Sequence, residues 1–327
     1  MCPLCATTAA LTAVTWTTAL ATWGIGLTGL ITARRQHSRA GFSGAWVTDR
    51  IQTEERKMSI DQPRGETPLV VSKAEWRAAR IALLAREKEL TARKDRLAAE
   101  RRSLPWVRVE KNYVFEGPAG PATLSQLFEG RSQLFIKHFM LGPGQAQHCV
   151  GCSLEVDHLA GIRVHLEHHD LTYAVVARAP IGEIERLKRK MGWHFTWVSS
   201  YGNDFNFDFN VSFTDAQLAA GRGYYNFREV EVNAAMADLS GDSVFIKDGA
   251  GQIYHTNSAY GRGGEQFLGI YAYLEATPKG RAENGPHQSL TDWVRPHNMY
   301  DRGGMVEGTG RYHAADCGCA VHRGAGA

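Results

Sequence analysis

The sequence predicts an α/β fold, a central mixed sheet flanked by helices and preceded by a long amphipathic helix. Three observations carry that expectation. Residues 132–178 read as a βαβ unit: an apolar strand at 133–139, a Gly/Pro loop, a helix over about 153–169 and a second apolar strand at 171–177. A Cys-x-x-Cys pair, Cys149 and Cys152, stands between the first strand and the helix. Strand and helix patterns then keep alternating to about residue 274, which points to helices layered on a sheet.

At the start of the chain, residues 1–33 carry no charged side chain. Residues 6–32 are rich enough in Ala, Leu, Thr, Ile, Val and Trp to cross a bilayer as a helix. No basic n-region precedes them, which argues against a secretory signal peptide. Arg34, Arg35, Arg39 and Arg50 follow. The positive-inside rule then puts the main domain in the cytoplasm, anchored to the inner membrane if the stretch spans it. The head resembles small bacterial membrane proteins that begin Met-Cys-Pro-x-Cys. Met58 opens Met-Ser-Ile-Asp-Gln-Pro, a second candidate start that would make the head an upstream extension.

Residues 34–71 read as a polar linker. Ser72-x-x-Glu75 is a capping box and opens a helix to about residue 103. Trp76, Leu83, Leu90, Leu97 and Leu104 recur every seven residues without a second apolar column. A full coiled-coil seam needs two, so the helix is expected to lie on its own domain or on a second copy, as a homodimer.

Leu104-Pro105 ends that helix, 107–109 and 113–115 alternate like a short hairpin, and 124–128 make one helical turn. Past the Cys unit, Ala179-Pro180 breaks the chain. Residues 181–191 form an amphipathic helix with Ile184, Leu187 and Met191 inward, and 195–198 the next strand. Residues 201–213 alternate aromatics with Asn and Asp, and Tyr224, Tyr225 and Phe227 extend them. They are expected as an insertion packed over one end of the sheet. Residues 243–247 and 252–255 pair around Asp248-Gly249-Ala250-Gly251, and a helix at 264–274 closes a domain spanning 104–285. Residues 286–327 are rich in Gly and carry His and Cys, and a solvated tail is expected there.

This order of elements is that of the thioredoxin fold in its enlarged, peroxiredoxin-like form. The chain also resembles a widespread bacterial thioredoxin-like family known only as a domain of unknown function. The shared blocks are Leu104-Pro105-Trp106-Val107, residues 127–134, Cys149-x-x-Cys152-Ser153, Lys190-Met191-Gly192-Trp193, Trp197-Val198-Ser199-Ser200, Asp204-Phe205-Asn206-x-Asp208-Phe209 and residues 273–281. The resemblance runs from about residue 69 to 301. It implies the fold and the placement of the Cys pair, and no substrate. Two departures stand out. Thioredoxins carry a cis-proline where this chain has Asp238-Leu239-Ser240-Gly241-Asp242-Ser243, and peroxiredoxins carry Thr or Ser where it has Ala146.

A thiol at a helix N-terminus faces unpaired N–H groups and the positive end of the dipole, which favour the thiolate. The first expectation is therefore a thiol–disulfide oxidoreductase. Cys149 attacks, Cys152 resolves, and His148 lends positive charge or carries a proton. Such chemistry requires no cofactor beyond the redox-active disulfide, and its partner is a protein or small-molecule disulfide or thiol. The second is zinc or copper binding, either at His148, Cys149 and Cys152 or in the tail at His313, Cys317, Cys319 and His322. The third is a non-catalytic scaffold with inert thiols. The six cysteines fall as three close pairs, which suits a reducing compartment better than a stapled secreted fold. A net charge of +3 without an aromatic-interleaved basic run gives no case for nucleic acid.

Overall fold

The computed structural model describes residues 69–315. The stretch at 6–32, most of the linker, and Cys317, Cys319 and His322 lie outside the described residues. No helix among the described residues is long and apolar enough to cross a membrane. The chain divides into two units, Met1–Trp76 and Arg77–Ala327, and of the first only the last eight residues, 69–76, are described.

The capping box at Ser72 forms as the sequence predicts. The Ser72 Oγ accepts the Glu75 N–H at 3.3 Å, and the Glu75 carboxylate accepts the Ser72 N–H at 2.9 Å. Helix α1 (Lys73–Arg102) follows and buries none of its residues. Trp76, Leu83, Leu90 and Leu97 are all exposed, so the expected packing against its own domain does not occur among the described residues. Arg86, Arg93 and Glu100 occupy the column where a seam would need apolar groups.

The strands and helices beyond it are β1 (Val107–Arg108), β2 (Val114–Gly117), β3 (Gly120–Thr123), β4 (Gln133–His138), α2 (Val150–Asp157), α3 (Leu159–His168), β5 (Leu171–Ala177), α4 (Ile181–Met191), β6 (Thr196–Ser199), α5 (Phe205–Asp208), α6 (Asp215–Ala220), β7 (Arg222–Tyr225), β8 (Arg228–Glu231), β9 (Gly241–Lys247), β10 (Ile253–Tyr260), α7 (Gly269–Glu275), β11 (Met305–Val306) and β12 (Tyr312–His313). Eight strands form one sheet in the order β1-β10-β9-β4-β5-β6-β2-β3. Its centre, β4, β5 and β6, is parallel, and β9 lies antiparallel against β4.

Four expectations are corrected. Residues 107–109 and 113–115 do not pair: β1 joins β10 at one edge, while β2 pairs with β3 and β6 at the other. The turn residues lie at Gly117-Pro118-Ala119-Gly120, and the hairpin forms there instead. The single Cys helix is two, broken at His158, whose Nδ1 hydrogen-bonds the Leu154 carbonyl at 2.7 Å. The segment at 201–213 is not laid over the sheet end. Phe205 and Phe209 are buried in the core with Tyr113, Phe115 and Phe245, because their four-residue spacing puts both on one side of a short helix, while Phe207 faces Arg178. Residues 286–315 are no solvated tail. Val294, Val306 and Tyr312 pack against Val150 and Leu154 of α2 and against Leu268 and Tyr271.

Alternation along β4 decides what each face offers. Leu134 and Ile136 point into one core layer with Phe128, Ala174 and Val176. His138 shares that face, stacked on Phe205 and Phe209, and bonds Ser243 Oγ at 2.9 Å. Phe139 belongs to the other layer, with Cys149, Cys152, Trp193 and Trp197. Lys137 falls on that second face, beneath α2, and its position sets up the site.

Candidate active site

Cys149 is the N-cap of α2, with φ −67° and ψ 125°, and its Sγ accepts the Cys152 N–H at 3.3 Å. A capping side chain satisfies one of the N–H groups that a helix leaves without an internal partner. Here that side chain is a thiol. Its pKa is lowered to about 7, first by the hydrogen bond from the Cys152 thiol, then by the Cys152 N–H, the Lys137 charge and the Gly151 N–H, against burial that raises it. Cys152 goes the other way. Burial pushes its thiol well above the ordinary range, and the bond and charge shared with Cys149 add to this. Both thiols are buried and free of any disulfide. The pair is thus split into one sulfur that ionises readily and one that holds its proton.

Beneath them lies a buried charge cluster that the sequence reading missed. Lys137 Nζ contacts Glu155 Oε2 at 2.5 Å and Asp242 Oδ1 at 3.3 Å, and the Tyr173 hydroxyl donates to Glu155 Oε1 at 3.0 Å. Burial pulls the Lys137 ammonium down, but Asp242 and Glu155 together hold it well above its usual value. Burial raises the Asp242 carboxyl to about 8 against the pull of Lys137. The signal was present in the sequence: a lysine in the apolar run Leu134-Phe135-Ile136-Lys137-His138-Phe139, and a glutamate three residues after Cys152 on a helix with an otherwise apolar inner face.

The other candidates fare differently. His148 is buried, packs edge-on against Trp193 and leaves its Nε2 without a hydrogen-bond partner. Burial lowers its pKa to about 4, with Lys190 and His297 adding to the effect. The imidazole is therefore neutral near pH 7, and the cation acting on the thiols is Lys137 rather than His148. His313 is buried too, but its Nε2 meets Glu307 Oε1 at 2.5 Å. Its three proposed fellow ligands lie outside the described residues, and no metal-binding cluster of His, Cys, Asp or Glu occurs among the described residues.

The C-terminal residues form one wall of the site. The Gly310 carbonyl accepts the Val150 N–H at 2.8 Å, and Arg311 pairs antiparallel with Cys149. Gly310 has φ +84°, and a Cβ there would sit 3.4 Å from the Cys149 sulfur. The positive φ favours glycine there, whereas the spacing to the sulfur is ordinary van der Waals contact. Beside this contact opens a cavity of about 290 Å³ lined by Cys149, Cys152, Lys137, Glu155 and Asp242 on one side and by residues 289–291 and 308–310 on the other.

The fold is thioredoxin-like with a peroxiredoxin-type elaboration. Among solved structures, the chain is similar to peroxiredoxin Q of Xanthomonas campestris at 14% identity and a TM-score of 0.35, covering 52% of this chain and 97% of that one. It is similar to the peroxidoxin BcpB of Mycobacterium tuberculosis at 11% identity and a TM-score of 0.30, covering 51% and 94%. No curated protein matches the sequence. The model of the family described as "Bacterial protein of unknown function (DUF899)" matches residues 65–300, most of the sequence, and the chain belongs to that family.

Proposed function

We propose that the protein is a thiol–disulfide oxidoreductase whose centre is Cys149 and Cys152. One observation carries the reading: two adjacent thiols whose surroundings drive their proton affinities apart, the outer one lowered to about 7 at a helix N-terminus. An attacking thiol serves best when its pKa lies near the ambient pH, because thiolate fraction and nucleophilicity then balance. The Cys149 thiolate attacks one sulfur of a disulfide and expels the other as a thiolate. Cys152 then attacks the Cys149 sulfur of the mixed disulfide, and its proton goes to the leaving sulfur. The products are two thiols and a Cys149–Cys152 disulfide, so two electrons pass to the substrate. Lys137 lies buried under both sulfurs and favours the Cys152 thiolate as it forms. The two electrons come from the two thiols themselves.

The test is the reduction potential of the pair, measured by thiol-labelling mass spectrometry across a glutathione series, with C149S and C152S as controls. A potential between about −300 and −120 mV, the span of known exchange catalysts and labile disulfides, supports the reading. A pair that stays reduced throughout removes it.

A further inference from the structure

We infer that this centre acts on low-molecular-weight disulfides and excludes protein disulfides. The inference rests on the redox reading above and names its substrate class.

A protein disulfide reaches a buried thiol as part of a chain segment, and such segments dock by backbone pairing to an open strand edge. At Cys149 that pairing is already taken. Arg311 pairs with Cys149 itself, and the Val150 N–H is spent on the Gly310 carbonyl. A Cβ added at Gly310 would meet the Cys149 sulfur at 3.4 Å, and Cys149 is only 7% exposed. These contacts are held by a buried cluster, with Val294, Val306 and Tyr312 packed on Val150 and Leu154, so the covering segment is anchored on both sides of Gly310.

The approach that stays open is the cavity. Its volume of about 290 Å³ lies at the lower end of the range for small-molecule sites, roughly 300–1,000 Å³. Both cysteines form part of its wall. Leu268 and Leu290 supply apolar surface for aliphatic carbons, and Ser289, Thr291 and Thr309 supply hydroxyls. Arg262 stands at the rim, its side chain mostly exposed and paired with Glu265 at 3.0 Å. This suits a short aliphatic disulfide with polar ends, R–S–S–R. Cys149 breaks its S–S bond to give Cys149–S–S–R and R–S⁻. Cys152 closes the internal disulfide and releases the second R–S⁻, and the two thiol protons of the enzyme leave on the two R–SH products.

The experiment uses the reduced full-length chain with 2-hydroxyethyl disulfide or insulin at equal disulfide concentration. Formation of the Cys149–Cys152 disulfide is followed by mass spectrometry after acid quench, and both rates are divided by those of dithiothreitol. The small disulfide is expected to win by at least about tenfold after that correction for intrinsic thiol reactivity. T309W, which fills the cavity from its covering side, is expected to slow the small disulfide while unfolding at the same temperature as the parent chain. Comparable corrected rates for the two oxidants would overturn the size restriction and leave the redox reading standing. Oxidation by neither would overturn both. An unslowed T309W would overturn the cavity as the entrance.

Discussion

Lys137 and Asp242 are direct cross-strand partners in the β4–β9 ladder, 3.3 Å apart at their charged ends and both almost wholly out of water. With Glu155 on the helix above, one ammonium stands between two carboxylates. Removing one member of such a cluster strands the others, a loss of about 3–5 kcal/mol. Lys137→Met is expected to destabilise by the lower part of that range, because Asp242, already raised to about 8, can take up a proton. The same change removes a charge that lowers Cys149, so its thiolate midpoint should rise above 7. Urea unfolding and ultraviolet thiolate titration read the two effects. A stable variant with an unmoved midpoint would disconnect the cluster from the thiols.

The largest influence lowering Cys149 is the hydrogen bond from the Cys152 thiol. Cys152→Ala deletes it and keeps the backbone N–H donors. The pH midpoint for alkylation of Cys149 should therefore move upward from about 7. Cys152→Ser retains a hydroxyl donor and should move it less. Equal midpoints in all three proteins would mean that the helix terminus alone sets the reactivity.

His148 gives a pH dependence with a definite sign. Its pKa is lowered from 6.5 to about 4 on folding. The stability this supplies is complete above pH 6.5 and is lost as the pH falls through 4, because the unfolded chain takes the proton first. The size is about 3 kcal/mol for a shift of this extent. His138, held to about 3 on the opposite face of the sheet, adds a second loss over the same acid range. Urea unfolding at pH 7 and pH 4.5 should show the drop, and His148→Gln should reduce it while leaving the Cys149 midpoint in place. A shifted midpoint would restore His148 to the chemistry.

Ending the chain after residue 285 should expose Val150, Leu154, Leu268 and Tyr271. Each such side chain loses about 1.5–3 kcal/mol of burial when fully uncovered. The truncated protein should unfold at a clearly lower temperature, and a bulky maleimide should label Cys149 faster at temperatures where the rest stays folded. Unchanged stability and labelling would show that the wall is dispensable.

The parts legible in the sequence were those with a short period. Residues 133–138 and 171–177 are continuous apolar runs, and 181–191 carries inward groups three and four apart, so β4, β5 and α4 fall at or within two residues of where the pattern puts them. The Cys pair was legible by spacing. The cluster beneath it was not, because its members are distant: Lys137 meets Glu155 eighteen positions on and Asp242 over a hundred on. Lys137 and Glu155 each stand out locally as a charge among apolar neighbours, but nothing local marks Asp242 or joins the three. Residues 286–315 were illegible for another reason. Leu290, Val294, Met299, Val306 and Tyr312 recur at irregular intervals among glycines, so they follow neither the helical nor the strand period although they bury a core.

Gly310 lies 161 positions after Cys149. Synthesis delivers β4, α2, β5 and α4 to the exit of the ribosome long before the residues that cover the thiols, and N-terminal parts fold first. Until residues 308–311 have emerged and packed, the two cysteines have no wall in front of them. For that interval the proposed size restriction would be missing, and the dithiol would meet bulky disulfides as readily as small ones.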